Sequence, residues 1–417
     1  MYLRKLLQRF LNLVMMNKKS GIYIHIPFCL KKCSYCGFLS KEIRKDDDRG
    51  EIDFYIDNLL REIKIRKNDT NGSIFDTIYF GGGTPSLLKT KQIEKVLDIL
   101  YSNYKFDEDI EITLEANPET LNKSKLKEIK STGINRLSMG IQSFDNKVLK
   151  RIGRIHTAEK AISEYNNARK AGFENISFDL MFSLPNTRVN DARVDLIKAI
   201  NLDPEHISFY SLQLEEGTKF FEEFEKGELS EIPDEIDRKI YHSGIDILKS
   251  HGYEQYEISN FSKVNSDRKI NYRSRHNSKY WDMSPFIGFG LGASSYFYSK
   301  EEKNEEFSGN LRVENYSDMK NYSEAIKGGI RPFLVKNVNT YKDDLSEAIF
   351  TGLRRIDGIR YDEIGLLSRE EFEDIFKESK DELSEFISLG YIKMNDEGLK
   401  LTERGIDISN KIMSIFV

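Results

Sequence analysis

The chain has 417 residues, 63 basic and 68 acidic side chains and a formal net charge of -5. This length suits one large domain plus a smaller one, and 39% hydrophobic with 12% aromatic residues excludes a disordered or fibrous protein. The nearly balanced charge gives no reason to expect a nucleic-acid partner. Three cysteines in so long a chain argue against a disulfide framework, so we expect a reducing, cytoplasmic location.

The first residues, MYLRKLLQRFLNLVMM, are basic and amphipathic, with apolar residues at helical spacing. They lack a continuous apolar stretch and a small-residue cleavage site, so a secretory signal is not indicated. We interpret residues 1–20 as an N-terminal extension, which leaves peripheral membrane association open. No segment approaches 18 consecutive apolar residues, so no transmembrane helix is predicted.

Residues 21–215 alternate short β-rich runs with amphipathic helical stretches. The predicted strands are 22–26, 75–80, 110–116, 135–141, 175–182 and 206–214, and two of the predicted helices are 52–67 and 91–104. Strands separated by helix-length crossovers predict repeated βαβ units around a parallel sheet. Six such units favour an α/β fold with a partial (β/α)6 barrel of the TIM type, in which loops after the strands build the site. A doubly wound open sheet is the alternative.

The rest of the chain is predicted to form two further parts. Residues 216–335 are less regular and are expected to complete the barrel. Residues 336–417 are mainly helical, and their last 40 residues read helix, strand, turn, strand and helix, as in a winged-helix module. The acidic balance there argues against DNA binding, so we expect a small packing domain.

The segment HIPFCLKKCSYCGF, residues 25–38, holds all three cysteines, Cys29, Cys33 and Cys36. Positions i, i+4 and i+7 would share one helical face, but the intervening lysines and the flanking Pro27 and Gly37 argue against a buried helix. A zinc site with His25 as the fourth ligand is one alternative. An iron–sulfur cluster on three thiolates fits better, because it leaves one iron without a protein ligand.

Other polar and glycine-rich positions follow the predicted strands. YFGGGTPS, residues 79–86, could bring backbone close to a ligand or simply form a tight turn. Glu115, Gln142, Asp179 and Gln213 lie near strand ends and would meet at a barrel mouth, with Arg154 available to pair with a carboxylate. Near His276, aromatic and small residues could line a porphyrin pocket or pack over the barrel edge.

The cysteine spacing, with Tyr35 just before the last cysteine, resembles the radical S-adenosylmethionine (SAM) superfamily. YIHIPFCLKKCSYC, FGGGTPS, EANPE, RLSMGIQSF, GRIH, FDLMFSLP and RHNSKYW occur in the order found in the oxygen-independent coproporphyrinogen III oxidase-like family. Phe38 where the dehydrogenases have a further cysteine, the short N-terminus, and HNSKYW followed by GFGLGASS resemble the HemW-type haem chaperones. Ser183 departs from the glycine usual in the family, and Asn186-Thr187 departs from its usual Gly-Gln.

The resemblance implies a 4Fe–4S cluster on Cys29, Cys33 and Cys36, with SAM bound to the fourth iron. The implied SAM-contacting residues are Tyr23, Tyr35, Gly82, Gly83, Thr84, Glu115, Gln142, Arg154, Asp179 and Gln213. An electron entering the cluster would cleave SAM reductively.

The resemblance also implies a function, a protein that binds haem and transfers it to apoproteins. The alternative is an enzyme that oxidatively decarboxylates two propionates of coproporphyrinogen III to vinyl groups. The implied partners are haem or a porphyrinogen, a haem-accepting apoprotein and an electron donor to the cluster.

Overall fold

The computed structural model describes residues 18–43, 49–70, 72–185, 187–264, 271–302, 304 and 307–417. The predicted N-terminal extension, apart from residues 18–20, and Asn186 lie outside these ranges. Among the described residues, no helix is both long and apolar enough to span a membrane.

The first half of the chain alternates strands and helices, as predicted. Its elements are β1 Ser20–Ile26, β2 Phe28–Cys29, β3 Lys41–Glu42, α1 Arg49–Ile65, β4 Ile74–Gly82, α2 Thr90–Asn103, β5 Lys105–Ala116, α3 Lys123–Ser131, β6 Arg136–Gln142, α4 Asn146–Arg151, α5 Ala158–Lys170, β7 Asn175–Phe182, α6 Val189–Leu202 and β8 His206–Ser211. Side-chain caps set several helix starts; Thr157, for example, accepts a 3.2 Å hydrogen bond from the Lys160 amide at the start of α5.

The strand order identifies the sheet as barrel-like. Strands β1, β4, β5, β6, β7 and β8 pair in sequence order, and every neighbouring pair is parallel. A doubly wound sheet would reverse direction beside its first strand, and this sheet does not. The partial (β/α)6 barrel is therefore confirmed, and the carboxyl ends of its six strands share one edge.

The middle of the chain extends this sheet on both sides. Its elements are α7 Lys219–Glu225, α8 Asp234–Ser250, β9 Tyr253–Glu257, β10 Asn260–Lys263, α9 Arg275–Trp281, β11 Phe286–Phe289, β12 Ser294–Tyr298, β13 Phe307–Asn315, α10 Met319–Lys327 and β14 Phe333–Thr340. Strand β11 adds a further parallel strand beside β1, and antiparallel β12, β13 and β14 follow it. On the other side β10 pairs antiparallel to β8 and β9 pairs antiparallel to β10, so the sheet has 12 strands within the described residues.

The C-terminal part is mainly helical with a small antiparallel sheet. Its elements are α11 Tyr341–Gly352, β15 Ile359–Arg360, α12 Arg369–Ile375, α13 Lys380–Ser388, β16 Ile392–Met394, β17 Gly398–Leu401, α14 Glu403–Asp407 and α15 Ser409–Met413. The predicted order of helix, two strands and helix is confirmed. One hydrophobic core runs from β1 to the last residues, so this part packs directly on the barrel.

Candidate functional site

The three cysteines lie on an irregular loop at the carboxyl end of β1. Cys29 ends the short strand β2, and the residues after it form turns rather than a helix, so a buried helical stripe is excluded. All three thiols are free and partly buried. Thr84 Oγ1 donates to Cys29 Sγ over 3.4 Å, and Arg154 Nη1 donates to Cys33 Sγ over 3.7 Å. The cysteine loop therefore faces two of the residues predicted to bind a cofactor.

Burial raises the pKa of the Cys29 thiol and raises the pKa of Cys36 to about 11. A thiol in this environment loses its proton only when a strong positive charge compensates for the burial. A bound metal supplies such a charge and deprotonates a coordinating thiol. The loop is thus suited to metal ligation rather than to acting as a free nucleophile.

A mononuclear zinc site does not fit the same residues. Both ring nitrogens of His25 are engaged, Nδ1 with the Tyr23 hydroxyl at 3.0 Å and Nε2 with the Leu39 carbonyl at 2.8 Å. Across the described ranges, no three His, Cys, Asp or Glu side chains are placed to hold one metal ion. A 4Fe–4S cluster binds each thiolate at a different iron, so its ligands do not converge on one point.

The glycine loop, residues 79–86, packs against the cysteine loop. Gly83 donates to the Ile26 carbonyl over 2.8 Å, and a Cβ at Gly83 would lie 2.7 Å from the Phe28 carbonyl oxygen. Gly82 has a φ of +107°, and a Cβ there would lie 2.5 Å from the His25 ring. Gly83 is required because the backbone of Ile26 and Phe28 passes directly over it, and Gly82 is required by its positive φ and by the His25 ring.

Two carboxylates lie inside the barrel mouth. Glu115 accepts a 2.8 Å hydrogen bond from the Tyr79 hydroxyl and a 3.2 Å hydrogen bond from the Gly82 amide. Asp179 accepts from the Ser138 hydroxyl at 3.2 Å. Burial raises the pKa of Glu115 to about 7 and the pKa of Asp179 to about 6. Both groups can therefore hold or release a proton near neutral pH.

Arg154 and Gln142 lie at the same edge. Gln142 ends β6 with a φ of +67°, and its Oε1 accepts a 2.8 Å hydrogen bond from the Tyr210 hydroxyl. Arg154 Nη2 donates to the Gly140 carbonyl. Arg154 Nε is buried and has no hydrogen-bond partner within the described part of the chain. A buried guanidinium with an unused donor is suited to an anionic ligand such as the carboxylate of SAM.

Aromatic rings form one wall of the mouth. Tyr23 stacks on Tyr79 with ring centroids 6.3 Å apart, and Tyr79 stacks on His276 at 5.0 Å. His276 is buried, and its ring nitrogens contact the Thr77 hydroxyl at 2.8 Å and the Tyr280 hydroxyl at 3.0 Å. Both ring nitrogens of His276 already have hydrogen-bond partners, so neither is available to a haem iron. This supports the interpretation that His276 packs at the barrel edge.

Not every predicted residue joins this group. Tyr35 does join it, because its hydroxyl interacts electrostatically with Arg154 and Cys33. Gln213 lies two residues beyond β8, is exposed, and makes no hydrogen bond to the other predicted residues within the described ranges. Tyr79, Ser138 and Tyr210 belong to the site but are absent from the predicted set. Period-2 alternation along β6 could have found Ser138, which lies four positions before Gln142, whereas Tyr79 and Tyr210 each lie three positions from the nearest predicted site residue along the chain.

A cavity of about 900 Å³ opens at the ends of β7 and β8. Its walls combine aromatic, aliphatic, acidic and basic side chains from the barrel, α8 and the C-terminal helices, including Phe209, Tyr241, Arg238, Lys411, Asp237 and Asp407. Ser183, which stands where a glycine was expected, also lines the cavity and has a φ of +55°. Its hydroxyl donates a 2.5 Å hydrogen bond to Asp237. That hydrogen bond offsets the strained turn.

Comparison with known proteins agrees with this geometry. Residues 23–198 match the radical SAM superfamily, and residues 339–408 match the HemN C-terminal domain. The heme chaperone HemW of Bacillus subtilis (strain 168) is 33% identical over 401 residues, covering 95% of this chain and 98% of the relative. The heme chaperone HemW of Escherichia coli (strain K12) is 36% identical over 277 residues, covering 66% of this chain and 69% of the relative. The solved structure of coproporphyrinogen III oxidase (HemN) from Escherichia coli, a radical SAM enzyme, has a TM-score of 0.80 at 23% identity over 98% of this chain and 92% of that chain.

The barrel, its cysteine loop and the polar mouth define a radical SAM protein. Such a protein carries a 4Fe–4S cluster and SAM as cofactors, and the free thiols and unused Arg154 donor fit them. The chain belongs to the HemW family within this superfamily.

Proposed function

We propose that this protein is a haem chaperone, which binds haem and transfers it to apoproteins while carrying a SAM-binding 4Fe–4S cluster. The observation that carries the proposal is the similarity to proteins named heme chaperone HemW along nearly the whole chain. Phe38, 63% exposed where the resemblance to the dehydrogenases would require a further cysteine, supports the same choice.

Cys29, Cys33 and Cys36 are the proposed cluster ligands. The proposed SAM-contacting residues are Tyr23, Tyr35, Gly82, Gly83, Thr84, Glu115, Gln142, Arg154, Asp179 and Gln213. The contacts of Thr84 and Arg154 with the cysteines support their places in this set, whereas the exposed position of Gln213 makes it the least supported member.

Within this site, the residues of the chain would bind and orient the cofactor. Arg154 Nε would donate to the carboxylate of SAM, and Glu115 and Asp179 would accept from its ammonium or ribose hydroxyl groups. The aromatic wall of Tyr23 and Tyr79 would exclude water from one side. When bound, the cluster and SAM supply one-electron chemistry.

The cavity at the ends of β7 and β8 is the proposed cargo site. Its volume of about 900 Å³ suits a large ligand, and the aromatic and aliphatic part of its wall matches the face of a planar macrocycle. Lys411 would face a propionate group, whereas Arg238 is already paired with Asp237 and lies 3.6 Å from Asp407. Tyr210 lines the cavity and also bonds Gln142, so the cargo would lie beside the SAM site. The proposed partners are a haem-accepting apoprotein and an electron donor, in the cytoplasm.

One preparation tests both candidate functions. The cluster is reconstituted anaerobically, haem is titrated by its Soret absorption, and coproporphyrinogen turnover is assayed with SAM and reductant. We expect one haem per chain and no protoporphyrinogen. Robust turnover would instead identify a dehydrogenase.

The cluster ligands are tested separately. We expect Cys33→Ala to abolish the iron–sulfur absorption and Ser34→Ala, its neighbour in the same loop, to retain it. An intact chromophore in the Cys33→Ala variant would refute the ligand assignment.

A further inference from the structure

A small cavity on the outer side of the cysteine loop is lined by cationic side chains. Its volume is about 290 Å³, and Cys33, Ser34 and Cys36 form part of its wall. Its charged lining residues are all basic, namely Lys31, Lys32, Lys150, Arg151 and Lys219. We refer to these five residues as the basic rim. The rim stands out because the chain as a whole carries a net charge of -5.

The basic rim is held in place by contacts between the cysteine loop and two helices. Ser34 donates its amide to the Ile152 carbonyl over 3.0 Å, and Phe220 donates its amide to the Ser34 carbonyl over 2.9 Å. These bonds fix the loop between the end of α4, which carries Lys150, and the start of α7, which carries Lys219. The rim is therefore a defined part of the fold rather than a chance group of surface lysines.

Most of the rim charge is not neutralised by neighbouring carboxylates. Glu223 pairs with Arg151 at 2.5 Å and lies 3.8 Å from Lys219, and Glu42 accepts only the backbone amide of Lys32. Lys31, Lys32 and Lys150 are exposed and form no ion pair within the described residues. Such a concentration of one sign of charge raises the rate at which oppositely charged partners arrive.

We propose that the basic rim is the docking surface for an acidic one-electron carrier protein. This inference rests on the proposed cluster, because the cysteine loop that would hold it forms the wall of the same cavity. One electron leaves the reduced carrier and one enters the cluster, and no proton or group is transferred. Complexes of this kind are small, transient and steered by charge, which matches a polar, exposed surface.

The rim suits a protein better than a small anion. Its cations come from three separate segments, the cysteine loop, α4 and α7, and the side chains of Lys31, Lys32, Lys150 and Lys219 point into solvent rather than being buried. A built anion site would instead bury its donors and aim them at one point.

The test uses full-length protein with a reconstituted cluster and a strongly acidic flavodoxin as the probe. We expect the double variant Lys150→Glu/Lys219→Glu to weaken flavodoxin binding by about tenfold or more at low salt. The matched control, Lys320→Glu/Lys327→Glu on α10, makes the same change in net charge outside the rim and should bind as the wild type does. Binding is measured as a Kd at low and high ionic strength, and binding to the wild type should weaken as salt rises.

Dithionite reduction of the cluster separates this inference from the proposed function. Both double variants should retain the iron–sulfur absorption and be reduced by dithionite like the wild type. A preparation with no cluster would count against the proposed cofactors, while the flavodoxin Kd would still report on the surface. Equal Kd values for the two double variants, or tight binding of inorganic pyrophosphate without flavodoxin binding, would overturn the docking proposal.

Discussion

Burial controls the protonation of the carboxylates at the barrel mouth. Glu115 has an ordinary pKa of 4.5 and a pKa of about 7 in the folded protein. Between these values the folded state holds a proton that the unfolded state has released. The contribution of Glu115 to stability is therefore fully present below about pH 4.5 and is lost as the pH rises towards 7.

This sign leads to a prediction for Glu115→Gln, which cannot titrate. In protein free of cluster and SAM, we expect the free energy of unfolding of the wild type to fall relative to that of the variant as the pH rises from 4.5 to about 7. Urea unfolding at a series of pH values measures this difference. A difference that stays constant with pH would show that Glu115 keeps an ordinary pKa. The glutamine side chain also loses one of the two hydrogen bonds that Glu115 accepts. This loss changes the difference in unfolding free energy by a constant amount and leaves its pH dependence unchanged.

A site residue could be predicted from the sequence when the pattern that marks it lies within one short segment. The cysteines are recognisable because their spacing and polar surroundings stand out in one segment of 14 residues. Arg154 approaches Cys33 only because the turn after α4 folds back over a separation of 121 residues. The engaged nitrogens of His276 depend on Thr77, which is 199 residues away. Contacts at that distance are invisible to a reading of the sequence.

At the scale of elements, the glycine loop after β4 and the cysteine loop after β1 form one unit. The backbone atoms of Ile26 and Phe28 leave no space for a side chain at Gly83, and its φ lies outside the left-handed region, so the constraint is purely steric. We expect Gly83→Ala to displace the cysteine loop and to lower both the iron bound on reconstitution and the melting temperature. Iron content per chain and thermal unfolding measure the two effects.

The matched control is Gly50→Ala at the start of α1. A Cβ at Gly50 would meet nothing within 4 Å, and its φ is also ordinary. This variant should bind iron normally. Equal iron content in Gly83→Ala and Gly50→Ala would show that the glycine loop does not hold the cysteine loop in position.

Hydrophobic patterns predict that a strand is present better than they predict where it begins and ends. Strand β7 matches its predicted range because its apolar run is buried on both faces. Strand β5 begins at Lys105, five residues before its predicted start, because Lys105 and Phe106 pair with Ile74 and Phe75 of β4. That extension is polar and partly exposed, so hydrophobic patterning does not reveal it.

At the scale of the whole molecule, the parallel order of six strands gathers the predicted site at one edge of the sheet. Sequence alternation predicts parallel strands but cannot distinguish a barrel from a doubly wound sheet, because the two differ only in which strands pair. The cavity of about 900 Å³ is also a long-range product, since its walls come from β7, β8, α8 and residues 406–411. It lies between the barrel and the C-terminal part, where a cargo could contact both.

The position of this cavity gives a test of where haem binds. Ser230 lines the cavity and is exposed at its rim, so Ser230→Trp would place a large ring in the space without disturbing the core. We expect haem affinity to fall by about tenfold or more, because the macrocycle would lose buried contact area. Soret titration measures the change, and Ser388→Trp, at an exposed serine on α13 outside the cavity lining, is the control. Equal haem affinity in the two variants would place the cargo elsewhere, whereas loss of affinity in Ser230→Trp alone would locate haem between the barrel and the C-terminal helices.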